Sequence, residues 1–242
     1  MNVFPSTVRD LKPEAQIERY YWVCHEYVLG LLRAWGVRHA ARRAVEVQSA
    51  IAEKFLTGKI SPWDKHGRFR DYLKAALKHE AISQLNAHRR EEPLGELHVP
   101  IEPEIRSAQQ DMAPLFGSNV LAVALKALKA LQTTRSGVAF YPEVQARIDA
   151  YLEAVEAGAG ASDLLERLAA LAEASAEGNR QPQERTRHKR AHQELARLLF
   201  CEVRASLGDT GTTEQVQDEL AQLGLLALAK KHLPADLLES GG

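Results

Sequence analysis

The residues that could do chemistry are crowded into one stretch. Between Lys65 and Arg90 seven lysines and arginines stand against two acids, so this window carries +5 while the 242-residue chain carries −1. Cations at this density neutralise phosphates, and aromatic side chains beside them can stack on unpaired bases. Trp63, Phe69 and Tyr72 are the aromatics at hand. Phe69 also reads as core, and Trp63, in a loop beside Pro62, fits either role. Arg70, Lys74 and Lys78 recur at i, i+4 and i+8, which predicts a column on one face of a helix. Arg89 and Arg90 close the stretch, where cations suit the helix dipole. A second basic run, Arg185, Arg187, His188, Lys189, Arg190 and His192, lies late in the chain. The chemistry on offer is contact with nucleic acid.

Other chemistries lack their residues. There is no glycine-rich phosphate loop, no paired His–Glu–His metal spacing and no nucleophile elbow. No catalytic residue, metal site or cofactor is therefore expected, and the chain does not read as an enzyme. The nine histidines are scattered. Two cysteines, Cys24 and Cys201, are too few and too far apart for a disulfide framework or a metal site, and they read as buried thiols. No apolar run approaches a membrane span. The N-terminus lacks a basic-then-apolar signal layout, so a cytoplasmic protein is expected.

Helices must position the basic stretches. Hydrophobic residues make up 45% of the chain, enough for the cores of two small domains. Apolar residues at helical spacing predict a first helix over 14–35, ended by Gly36. A second is predicted over 38–56, with a buried stripe of Ala41, Ala44, Val45, Gln48, Ile51, Ala52 and Phe55. Gln48 stands out in that stripe, because a buried amide needs partners. The third is the basic stretch itself. Residues 91–117 hold four prolines and six acids, which predicts an acidic linker. Further helices are predicted over 119–131, 142–156, 163–174 and 183–207. Thr212 and Gln215 have capping-box spacing and predict a final helix carrying Val216, Leu220, Leu223 and Leu226. A helix, the turn at Gly178 and the second basic helix have the outline of a helix-turn-helix. The expected fold is all-α: a domain over 1–92, a linker over 93–117, and a domain over 118–242 that includes a C-terminal extension.

At these residues the chain resembles a bacterial RNA polymerase sigma factor of the extracytoplasmic-function class, in its long, divergent, planctomycete-like members. HGRFRDYLKAALKHEAISQLNAHRR (His66–Arg90) is similar to the family's promoter-melting helix, Tyr20–Trp35 to its first helix, and Gln48 with Phe55 and Leu56 to its second. Glu184–Leu223 resembles the recognition helix and its tail. The matches cover about half of the chain. The resemblance implies a non-enzymatic transcription factor whose partners are core RNA polymerase and promoter DNA, with an anti-sigma factor as a further partner to look for. It implies that Glu46, Gln48 and Phe55 face the polymerase. Arg68, Arg70, Lys74 and Lys78 would contact the −10 element, with Trp63 or Tyr72 near a flipped base, and Arg89 and Arg90 at the helix end. Arg185, Arg187, His188 and Arg190 would approach the −35 duplex. Two rival readings remain: a sigma-fold interaction module, and a general nucleic-acid-binding protein without polymerase activity.

Overall fold

A computed structural model of the chain describes residues 13–61, 63, 66–91, 112–134, 153, 182–208, 211–230 and 232–233. Every regular element among the described residues is an α-helix. In chain order these are α1 (Pro13–Ala34), α2 (Ala40–Leu56), α3 (Phe69–Glu91), α4 (Ala113–Thr134), α5 (Pro182–Ser206), α6 (Thr213–Gln222) and α7 (Leu226–Lys230). Contacts divide the chain into one unit over Val8–Leu115 and another built on Phe116–Gly242 with Met1–Thr7. Most of the expected linker lies outside the described residues. So do the turn at 178–181 and, apart from Glu153, the helices expected over 142–156 and 163–174.

In the first unit α1 carries the main apolar stripe. Tyr20, Val23, Tyr27, Val28, Leu31 and Leu32 are all buried, at the three- and four-residue spacing that lines one helix face. The helix stops where Gly36 takes a left-handed φ of 67°. There the Val37 N–H donates to the Leu32 carbonyl at 2.9 Å and the Gly36 N–H to the Arg33 carbonyl at 2.9 Å. This pair of bonds is a Schellman motif, and it returns the chain into α2 with Val37 and Leu32 both buried. α1 and α2 share the larger contact, and α3 lies against both.

The buried face of α2 differs from expectation. Ala40, Ala44, Val47, Gln48 and Ile51 are buried, whereas Ala41 is exposed and Val45 is 47% exposed. The real stripe is rotated from the predicted one. Val45 and Val47 offer the pattern two phases of similar apolar content, and packing on α1 selects Val47.

The second unit has its core where α4, α5 and α6 supply Phe116, Val120, Leu121, Leu125, Leu199, Phe200, Val203, Val216 and Leu220. α4 begins at Ala113, inside the segment expected to be linker. Pro114 fits there because the first turn of a helix needs no N–H from it. By length and composition α4 could also cross a membrane, over Ala113–Leu131 at mean hydropathy 1.3. This corrects the expectation that no run comes near that length. Most of that stretch is buried inside the protein, as in the core helix of a soluble protein.

The Thr212 capping box forms as its spacing predicts. The Gln215 N–H donates to Thr212 Oγ1 at 3.2 Å, and the Thr212 N–H donates to Gln215 Oε1 at 3.0 Å. The single final helix expected beyond it is in fact two. Gly224 turns left-handed at φ 73°, and the Leu225 N–H donates back to the Leu220 carbonyl at 2.8 Å, ending α6 before α7 begins.

Burial perturbs two ionisable groups of α1. It pushes the Cys24 thiol from 9.0 up to about 12, and the Tyr27 phenol from 10.0 up to about 12. Both are neutral when protonated, so the unfolded chain releases these protons first. Their stabilisation is fully present below pH 9 and is lost as pH rises towards 12. Chemical denaturation is expected to show stability falling by about 1.4 kcal/mol per pH unit for each ionising group above those unfolded values. A Cys24→Ala variant should delay the onset of that fall to the tyrosine range. An unchanged onset would show that Cys24 is not its source.

Candidate nucleic-acid and partner interface

The loop before α3 is fixed by an aromatic cluster. The Phe69 ring sits 5.1 Å from that of Tyr20, 5.3 Å from Trp63 and 6.1 Å from Tyr72, and Tyr72 meets Phe55 edge-on at 6.0 Å. Offset and edge-to-face pairs of this kind add to the gain from burial alone. The polar ends are tied to the loop backbone. Trp63 Nε1 donates to the His66 carbonyl at 3.3 Å, and the Tyr72 hydroxyl to the Ser61 carbonyl at 2.7 Å. Trp63 is only 7% exposed and belongs to the core. Tyr72 is half-buried at its edge. Neither ring presents an open face to a base in this conformation.

The basic column resolves differently from its spacing. Arg70 is 7% exposed, while Arg68, Lys74 and Lys78 are half-buried. Helix geometry explains this. At about 100° per residue, positions four apart drift by about 40° each, while positions seven apart nearly coincide. Arg70 therefore lies almost directly over Leu77, on the face that buries Phe69, Leu73, Ala81 and Leu85. The column starts in the core at Arg70 and walks outward through Lys74 to Lys78. Arg89 and Arg90 belong to the last turn of α3, and their side chains lie outside the described residues.

The residues expected to face the polymerase hold the first unit together. Gln48 is 2% exposed, and its Nε2 donates to the Tyr21 carbonyl at 2.6 Å, joining α2 to α1. This supplies the partner its burial requires. Glu46 accepts from Arg42 Nε at 3.0 Å, lies 3.7 Å from Arg43 and 3.8 Å from His88 Nε2, and its carbonyl accepts from Gln84 Nε2 at 3.3 Å. Phe55 is half-buried against Tyr72.

Sequence reasoning missed two features of this unit. The first is a polar seam between α2 and α3. Glu80, buried, pairs with Lys54 and accepts from Gln84 Nε2 at 3.2 Å, and Gln84 reaches on to Glu46. The second is an apolar outer surface. Tyr21 is 51%, Val45 47% and Leu56 56% exposed. Val45 and Leu56 are eleven residues apart, about three turns, so they share one face of α2, and the Gln48–Tyr21 bond brings Tyr21 beside that helix. The spacing was readable, but it hid inside the stripe taken for core.

In the second unit Lys189 and Arg190 are exposed on α5. Arg185, Arg187 and His188 lie on its first turns, with side chains outside the described residues. His192 is buried and stacks on His232 at 4.9 Å, so it contributes to packing. Among the described residues no three His, Cys, Asp or Glu side chains cluster as metal ligands. Cys24 and Cys201 are free thiols, and burial raises the Cys201 pKa as well.

Comparison with protein-family models finds no matching family, and comparison with curated proteins and with solved structures finds no match.

Proposed function

We propose that this chain is a sigma-like transcription initiation protein that contacts promoter DNA through α3 and core RNA polymerase through the outer face of α2. One observation supports it most. A single three-helix unit carries a partly exposed basic flank at Arg68, Lys74 and Lys78 and an exposed apolar face at Val45 and Leu56. Cations of this kind neutralise phosphates, and exposed large apolar side chains on one face mark a surface for a protein partner. The sequence resemblance adds the order of the elements: two apolar helices, then the basic one. Exposed Arg190 on α5 belongs to the proposed second DNA contact. Such a protein works in the cytoplasm without a cofactor or catalytic residue of its own, and an anti-sigma factor is a natural further partner.

A second reading is a sigma-fold interaction module that has lost promoter contact. The burial of Arg70 and Trp63 favours it, since both are withdrawn from any nucleic acid. One pair of variants separates these readings from general DNA binding. Val45→Asp with Leu56→Asp alters exposed positions, so folding stability should change by less than about 0.5 kcal/mol. It is expected to abolish co-purification with core RNA polymerase. Arg68, Lys74 and Lys78 changed together to alanine should flatten the log–log salt dependence of promoter binding by about two to three units. Salt-sensitive DNA binding without polymerase retention would leave only the general reading. Polymerase retention without DNA binding would leave the interaction module.

A further inference from the structure

The cleft among α1, α2 and α3 is a feature that the proposed function does not use. Tyr20, Ile51 and Phe69 form its buried floor, and Tyr21 and Phe55 stand at its more exposed edge. Gln48 also lines it. The Gln48 amide is oriented by its donation from Nε2 to the Tyr21 carbonyl, which leaves Oε1 as an acceptor. That oxygen is buried and has no hydrogen-bond partner. Apolar walls around one acceptor of fixed direction are the make-up of a small-molecule site.

The dimensions select the ligand. The cleft encloses about 400 Å³ when its open mouth is counted, but only about 20 Å³ of it is deep. The deep part suits a hydroxyl rather than a ring, so a ring must rest in the mouth between Tyr21 and Phe55. A charged ligand is excluded, because no lysine, arginine, aspartate or glutamate lines the cleft to compensate it. Cys24, also in the lining, is held neutral by burial. We propose that this cleft binds a small neutral aromatic molecule bearing a hydroxyl, with the hydroxyl donating to Gln48 Oε1 and the ring packed against Tyr21 and Phe55.

Phenol and toluene, which match in size and differ in the donor, test this on the full chain by two-dimensional amide NMR. Phenol is expected to give saturable shifts at the Gln48 side-chain amide and at the backbone amides of Tyr21 and Phe55. It should bind about fivefold more tightly than toluene, the worth of one ordinary hydrogen bond. Gln48→Met keeps the volume and removes the acceptor, so the two ligands should then bind equally. Absence of saturable shifts, equal binding of both ligands to the unaltered protein, or a phenol preference that survives Gln48→Met would each overturn the proposal. Should Gln48→Met fail to fold, the comparison on the unaltered protein decides alone.

Discussion

Phe69→Ala is expected to destabilise the first unit by about 3–5 kcal/mol, the range for deleting a buried aromatic ring from a packed core. Phe69 is 2% exposed and touches the rings of Tyr20, Trp63 and Tyr72, so one substitution removes three aromatic contacts at once. The loop that delivers the chain into α3 depends on those contacts, because Trp63 and Tyr72 each bond its backbone from the same cluster. The measurement is favourable. Trp22, Trp35 and Trp63 are the three tryptophans of the chain and all lie in the first unit, so tryptophan fluorescence in a urea titration reports on that unit. Lys74→Ala on the same helix should move the midpoint by far less, since it takes away one half-buried cation. Comparable losses from the two variants would show that Phe69 does not anchor α3.

That contrast also marks what could be read from the sequence. α1 was legible because its pattern is redundant, with many apolar residues agreeing on one face and Gly36 ending the helix. The Thr212–Gln215 box was legible because it is local: both bonds run within four residues. α2 and α3 were legible as helices but not in rotation. In α2 the valines at 45 and 47 made two phases nearly equal, and the choice is made by α1, which the pattern of α2 alone does not encode. In α3 the cations at 70, 74 and 78 looked equivalent, although the neighbouring leucines already placed Arg70 over Leu77 on the core face. The extra break at Gly224 was missed because Leu223 and Leu226 continue the helical spacing across it.

The candidate site was harder to read for the same reason. The Lys54–Glu80–Gln84–Glu46 seam joins residues up to 38 apart, and no local pattern sets which turn of α2 faces which turn of α3. Burying Glu80 is tolerable because Lys54 and Gln84 both reach it; a buried charge without such partners would titrate or unfold the helix pair. Gln48 shows the converse case. Its place in an apolar stripe announced a buried amide, but only the fold shows that the Tyr21 carbonyl takes its donor while its acceptor faces the cleft lining. Residue types therefore identified a basic face and an unusual glutamine. The packing of three helices decided which cations stay at the surface and turned a supposed partner contact into a tie between α1 and α2.

Gly117→Ala is expected to destabilise the second unit even though it puts a better helix former inside α4. Replacing glycine by alanine within a helix normally stabilises by about 1 kcal/mol, because glycine gives up more backbone freedom on folding. Here an added Cβ would lie 2.5 Å from the Leu223 carbonyl oxygen and 3.3 Å from both the carbonyl carbon and Cβ of Leu223. The obstacle is backbone, so it cannot swing aside as a flexible side chain would. Leu223 is the C-cap of α6, and its neighbours make the Leu225 to Leu220 bond that ends that helix. Moving the Leu223 carbonyl therefore disturbs the turn into α7, where Leu225 is fully buried. Overpacking of this kind costs about 1–3 kcal/mol and more when backbone must shift, which outweighs the gain in helix propensity. Tryptophan fluorescence is blind to this unit, so the expected loss is read from faster hydrogen exchange at the amides of Leu223 and Leu225. A variant at least as stable as the parent would mean that α4 does not approach the end of α6 this closely.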